Sequence, residues 1–504
     1  MREKWKTPAG TAAAAALICG FATHFYGLVN TMHNYDDIIV QPIGVGTGLT
    51  SGRWLLEIFG MVLRYLGLDF NLTWLNGVVF LLLLAVGAGM LCRVLAIRKR
   101  FAAVLMGMLF VVFPTAVSSL IFRYASILYG IGILLALGAC LALRRKRYGM
   151  VLAGGVLCLS LGIYQAYLPL TIGVMVLSLL RRTLGGEEPK GLVVEGLKAC
   201  GAILLGLLAY FVILKVLLRL TGTQMSTYQG VSGMGAVSLR RMPQLIGRAF
   251  FECLTFVGQN RWNLADSKLI RLAYRVLAVL SLLMTGLLLS KGGKRTPLFW
   301  LLTVFLMLVF PVAVNFIVIM SPDSYIYTLM QYAFVLIGCV PLVLLDCLSL
   351  ENQNVLKRGV CLFAGLLACG YIYSANISYS ANYYFTRQAE NYLNSLMTQV
   401  RMTEGFTPEK EWAFIGNISD PMLGGVWSGV TGDGGLCNPN GLVNAYSRAS
   451  WFDTYMGCYV SEADSTVTAA LAQTEEVKAM PCWPSQGSIR VIGDTVVIKC
   501  QNIA

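Results

Sequence analysis

Residues 10–37 read GTAAAAALICGFATHFYGLVNTMHNYDD. From Gly10 to Asn30 no side chain is a carboxylate, lysine or arginine, and a bilayer needs about 20 mostly apolar residues to be crossed as a helix. Immediately beyond it stand two adjacent acids, Asp36 and Asp37. The rest of the chain repeats the first half of this pattern. Of 504 residues, 57% are hydrophobic and only 13% charged, with a mean hydropathy of +0.68. Soluble globular chains carry about 25% charged residues, so the composition predicts a polytopic membrane protein. No small-residue cleavage site follows Met1–Lys6, and the first apolar run is full length, so it reads as a retained span and not a signal peptide.

The formal net charge of +14 invites a nucleic-acid reading, but its distribution excludes one. Residues 1–379 hold 32 Lys/Arg against 13 Asp/Glu, and residues 380–504 hold 7 against 12. The positive charge sits in short loops between apolar runs, as topology determinants do. About eleven spans are expected, near 10–30, 71–92, 101–118, 124–143, 148–164, 166–180, 196–218, 270–290, 297–319, 326–346 and 359–379. Arg2/Lys4/Lys6, Arg98–Arg100, Arg144–Arg147, Arg181/Arg182, Lys291/Lys294/Arg295 and Lys357/Arg358 then share one face. By the positive-inside rule that face, with the N-terminus, is cytoplasmic.

The expected domains are a transmembrane part, 1–379, with outer loops 31–70 and 221–268, and an extracytoplasmic part, 380–504. Trp54-Leu55-Leu56-Glu57-Ile58-Phe59 has the pattern of an amphipathic interfacial helix. Gly44, Gly46, Gly48 and Gly52 before it read as a turn-rich linker, since no phosphate-loop lysine accompanies them. The tail has strand-like runs at Trp412–Ile418 and Ser488–Lys499, and Trp427, Trp451 and Trp483 to anchor a core. A small α/β domain is expected there. Ten of the 14 cysteines lie in or beside spans, as small apolar residues. Cys437, Cys458, Cys482 and Cys500 allow one or two disulfides in an exported domain. With only His24 and His33, a histidine-rich zinc site is excluded.

Asp36 and Asp37 are the leading candidates for chemistry. An acid pair in a loop is most often a solvated turn, but these are two of the 13 acids in the first 379 residues. Close carboxylates raise one another's pKa, which suits proton abstraction. Tyr35 precedes them. Outer loops should be poor in basic residues, yet Arg53, Arg123, Arg240, Arg241, Arg248, Arg261 and Lys268 fall there. They read as lipid head-group contacts or as a seat for a lipid-linked phosphate, which arginine grips bidentately. Arg53, Arg123 and Arg261 are assigned to the phosphate. Tyr164-Gln165-Ala166-Tyr167 stands at an outer boundary, where tyrosines form aromatic belts and the Gln165 amide suits a sugar hydroxyl. Asp323 is either a helix cap or part of the same cleft. Trp54, Tyr164, Gln165, Tyr35 and Asp323 are the expected substrate contacts.

Taken together, His33-Asn34-Tyr35-Asp36-Asp37-Ile38, Ser51-Gly52-Arg53-Trp54-Leu55-Leu56, Tyr164-Gln165-Ala166-Tyr167 and Gly493-Asp494-Thr495-Val496-Val497-Ile498 resemble the GtrII family of membrane glucosyltransferases. The resemblance implies a helical bundle of GT-C type and an extracytoplasmic site fed by a polyprenyl-phosphate sugar, such as undecaprenyl-phosphate glucose. It implies transfer to a bacterial cell-surface polysaccharide or wall polymer, in the plasma membrane. It maps a general base onto Asp36 or Asp37 and a first-loop phosphate arginine onto Arg53. A single displacement would invert the anomeric centre. No cofactor is required, because arginines can stabilise the leaving phosphate, though Asp36/Asp37 leave room for a divalent ion. The competing reading is a transporter or flippase of lipid-linked sugars, which would show internal repeats and charges deep in the spans. Membrane O-acyl transfer would need a catalytic histidine, and His24 reads instead as a packed core residue.

Overall fold

The computed structural model describes residues 7–40, 43–44, 46–145, 147–227, 237–259, 267–290, 295–348, 354–418, 423–429 and 439–502. The chain is mainly helical, 74% helix, with a small sheet near the C-terminus. It divides into two compact units. The first takes residues up to Val29 and Gly44–Asn376; the second takes Asn30–Ile43, Ile377–Thr431 and Leu436–Ala504. The segment 31–70, expected as one loop, is therefore divided: the part carrying Asp36 and Asp37 belongs with the tail.

In lipid every backbone N–H and C=O must find a partner within the segment, which makes long apolar runs helical. Among the described residues nine helices are long and apolar enough to cross a membrane. They are Pro8–Val29, Thr73–Val94, Arg100–Ile121, Arg123–Ala142, Gln165–Leu184, Pro189–Thr221, Lys268–Ser290, Pro297–Val314 and Asn354–Arg401. The chain is thus a membrane protein. The spans expected at 148–164 and 326–346 fall on the shorter apolar helices Gly149–Ile163 and Tyr332–Cys347.

Two boundaries differ from the hydropathy reading. The third apolar run breaks at Phe113, which is extended (φ −61°, ψ 140°) ahead of Pro114; the proline ring disfavours helical backbone before it. The last run does not stop near 379. The helix continues to Arg401, 48 residues in all, because neither glycine nor proline occurs between Tyr371 and Arg401. Its later turns present Phe385, Ala389, Leu393, Leu396 and Val400, all buried, at helical spacing.

Within the first unit the helices approach closely through small residues, as lipid-embedded helices do. Ala9, Ala12 and Ala16 are buried, and a side chain at Gly107 would overlap the Ala12 carbonyl. A Cβ at Gly154 would stand 3.0 Å from the Ala202 carbonyl oxygen, and one at Gly206 2.9 Å from that of Gly154. At the end carrying the basic loops, the buried Asp346 accepts from the Arg98 and Lys99 backbone N–H groups at 3.0 and 2.8 Å. It also pairs with Arg181 at 3.1 Å. A carboxylate at the start of the helix Arg100–Val112 complements the helix dipole.

In the second unit, strands β1 (Glu411–Ile415), β2 (Ile489–Ile492) and β3 (Thr495–Lys499) form a sheet of order β1-β3-β2. β3 runs parallel to β1 and antiparallel to β2, pairing Phe414 with Ile498 and Ile489 with Ile498. Val496, Val497 and Ile498 of this central strand are fully buried, as a strand covered on both faces requires. Gly493 (φ +61°) and Asp494 make the two-residue β2–β3 turn. Trp451 and Trp483 are buried in the core, as expected of anchors, while Trp427 is half-buried and stacks on Tyr384. Ile38 joins this core. Of the four cysteines that allowed one or two disulfides, Cys458, Cys482 and Cys500 are free thiols; burial pushes the Cys500 thiol up to about 12. Cys437 lies outside the described residues.

Gly107→Ala is expected to destabilise by about 1–3 kcal/mol, because the added methyl meets backbone that cannot rotate away. Gly155→Ala, which meets nothing within 4 Å, is expected to be neutral. Thermal unfolding of both variants in detergent checks the pair.

Candidate functional site

The motif residues of the first unit gather around one turn, Gly48–Arg53. A turn here needs left-handed backbone, and Gly52 supplies it (φ +71°). A Cβ at Gly52 would stand 2.6 Å from the Tyr210 hydroxyl and 2.7 Å from Gln165 Nε2. Those two groups hold the turn. Gln165 Nε2 donates to the Ser51 carbonyl (2.9 Å) and to the Tyr210 hydroxyl (2.8 Å), and Tyr210 donates to the Gly52 carbonyl (3.0 Å). Glu57 accepts from the Leu49 N–H at 3.2 Å. The Nε2 group of the Gln165 amide thus holds the turn.

The turn ends at Arg53, the residue before the helix Trp54–Tyr65. That is where the amphipathic helix was expected. Trp54 and Leu56 form its buried face, while Met61, Val62 and Tyr65 are exposed. Trp54 packs against Gly162, where any side chain would overlap its indole. The Arg53 guanidinium lies over the ring of Tyr164, 4.7 Å from its centroid, a cation–π seat that fixes the plane of the guanidinium. Tyr164 in turn packs on Tyr129 and Tyr167 at 5.3 and 5.4 Å. The sequence motifs Ser51–Trp54 and Tyr164–Tyr167 are therefore one constellation in space.

The other expected cations are placed differently. Arg123 is buried and donates to the Gly27 and Leu120 carbonyls, capping backbone that would otherwise lack partners. Arg241 makes a two-pronged pair with Asp323 at 2.8 and 3.1 Å, and Arg248 donates to the Pro322 carbonyl at 3.0 Å. The Arg241 hydrogen bonds hold the Asp323 carboxyl below its ordinary range. Asp323 precedes no helix start that it could cap; it ties its loop to Arg241. Arg261 lies outside the described residues.

The acids of the second unit occupy the short helix Tyr35–Val40. Asn34, fully buried, accepts from the Asp37 N–H through its side chain at 2.8 Å. Asp37 is also fully buried, with Oδ2 3.6 Å from His33 Nδ1. His33 is gripped by aromatic rings, at 5.3 Å from Trp451 and 4.3 Å from Tyr455. Asp36 is only half-buried. Its Oδ1 accepts from the Tyr446 hydroxyl at 3.1 Å, and the Tyr35 ring stands edge-on to that of Tyr446 at 6.2 Å. Adjacent residues on a helix point apart, and here one acid is sealed while the other reaches the surface. Sequence reasoning missed His33, Tyr210 and Tyr446. For Tyr446 no local signal existed, because it meets Asp36 across 410 residues. His24 is a packed residue of the first span, within 3.0 Å of the Val111 carbonyl.

Among the described residues no group of three or more His, Cys, Asp or Glu side chains could hold a metal ion.

Gln165→Leu would leave the Ser51 carbonyl and the Tyr210 hydroxyl without their donor, at a cost of about 1–3 kcal/mol. Gly52→Ala forces a side chain onto left-handed backbone and is expected to cost about 1 kcal/mol or more. Unfolding midpoints of the purified variants measure both.

No curated protein and no solved structure matches the chain. A family model described as Glucosyl transferase GtrII matches residues 25–338. That range contains the turn Gly48–Arg53, the residues that brace it and the acidic pair. The chain belongs to the GtrII glucosyltransferase family.

Proposed function

We propose that this membrane protein moves glucose from a polyprenyl-phosphate carrier, such as undecaprenyl phosphate, to a cell-surface polysaccharide or wall polymer. The reading takes the fold as GT-C type with about eleven spans, in a bacterial plasma membrane. The N-terminus is cytoplasmic and the second unit extracytoplasmic, as the basic loops argue. Its partners are the lipid-linked donor, the glycan acceptor and membrane lipid.

The observation that carries the reading is the contrast between the two acids in a glucosyltransferase-family chain. Asp37 is sealed, its carboxylate 3.6 Å from the His33 ring; Asp36 is half-buried and hydrogen-bonded at the surface. Asp36 is therefore assigned as the general base. The acceptor hydroxyl oxygen attacks the anomeric carbon while the bond from that carbon to the phosphate oxygen breaks. The hydroxyl proton passes to Asp36, and the electron pair leaves with polyprenyl phosphate. Arg53 offsets the charge of the leaving phosphate, since a guanidinium matches two phosphate oxygens at once. Its seat on Tyr164 supports this role. One displacement inverts the anomeric centre. The exposed apolar side chains Leu66, Leu68 and Phe70 that follow the helix Trp54–Tyr65 suit an interfacial segment beside a lipid substrate.

Asp36→Asn is expected to lower transfer from synthetic polyprenyl-phosphate glucose by about 10²–10⁴-fold, the usual contribution of a general base. Asp37→Asn is expected to lower stability but to keep most transfer per folded molecule. Full transfer by Asp36→Asn would remove the proposed base. Movement of lipid-linked sugar across vesicles with no new glycosidic bond would favour a flippase instead.

A further inference from the structure

We propose that Tyr446, in the tail, is a positioning residue for Asp36, so that the tail completes the base site. The family match ends at residue 338, and Tyr446 lies beyond it. The inference rests on the assignment of Asp36 as base.

Tyr446 donates to Asp36 Oδ1 at 3.1 Å. Its turn is built from buried parts. The Tyr446 N–H donates to Asn444 Oδ1 at 2.9 Å, the Ser447 hydroxyl to the Leu442 carbonyl at 2.6 Å, and the Trp451 indole N–H to the same carbonyl at 2.7 Å. Ser447 and Trp451 are fully buried. Trp451 also packs edge-on against His33, four residues before Asp37. One indole therefore braces both the turn that carries Tyr446 and the turn that carries Asp36. Neither turn can shift without disturbing the other, and the phenol and carboxylate are registered by shared packing. A side chain fixed in this way keeps its carboxylate oriented before substrate arrives.

The phenol has a second consequence. A donor to the charged form of a carboxylate favours that form. Tyr446 from the tail donates to Asp36, the Tyr35 ring stands edge-on to Tyr446, and the neighbouring Asp37 lies against His33. The Tyr446 ring is 60% exposed, so its hydroxyl can be removed without opening the core.

The test uses the full chain in membrane vesicles of the producing cell. Polyprenyl-phosphate glucose carrying labelled glucose is the donor, and the glycan of those vesicles is the acceptor. Tyr446→Phe keeps the ring and removes the donor; Tyr446→Leu removes both. Both are expected to unfold at the wild-type temperature and to transfer about tenfold more slowly, a fraction of what a general base supplies. Their acid limb of kcat/KM is expected to move to higher pH. A Tyr446→Phe profile that superimposes on wild type, while Asp36→Asn is inactive, overturns the inference and leaves the base standing. Loss of folded protein in both variants assigns Tyr446 to structure alone and also overturns it. An active Asp36→Asn is a separate failure, of the base itself.

Discussion

Backbone polar groups in lipid have no water to turn to, and this constraint organises the first unit. It makes the apolar runs helical, and it makes every interruption need a partner. Where the backbone leaves helix at Gly48–Arg53, side chains replace the missing bonds: Gln165 and Tyr210 serve the Ser51 and Gly52 carbonyls, and Glu57 serves the Leu49 N–H. Arg123 does the same for the Gly27 and Leu120 carbonyls. The residues that resemble a functional motif are therefore also those that allow non-helical backbone to exist there. Arg53 is delivered at the end of such a turn, against the face of Tyr164.

The second unit solves a different problem. It is built as a soluble domain is, with a central buried strand and aromatic anchors. The helix that ends the apolar part of the chain supplies one of its walls, through Phe385, Leu393 and Val400. The segment Asn30–Ile43 is claimed by this unit through Ile38 and His33. Asp36 thus belongs to the same body as Tyr446, although the two stand near opposite ends of the sequence.

How much of this was legible depends on the range of each interaction. Span positions were legible, because hydropathy is summed over local residues; the break at Phe113 needed the proline beside it to be weighed as well. The pairing of Ser51–Trp54 with Tyr164–Tyr167 was visible only as two motifs of one resemblance. Gln165 stands out in sequence as an unusual amide, but the partners of its Nε2 are carbonyl and phenol oxygens that no spacing reveals. The arginines looked alike in sequence. Tertiary contacts separate them: Arg241 is tied to Asp323, Arg123 to backbone, Arg53 to an aromatic face. Likewise Asp36 and Asp37 are neighbours with the same chemistry, and only burial tells them apart.

The proposed reaction is a single displacement on a polyprenyl-phosphate sugar, assisted by one surface carboxylate. The anomeric configuration of the product tests it most directly. Purified protein in proteoliposomes would be given polyprenyl-phosphate glucose of one defined anomer, and the new glycosidic bond read from its proton coupling constant. A single displacement gives the configuration opposite to that of the donor. Retained configuration would demand two displacements and a covalent intermediate, and would contradict it.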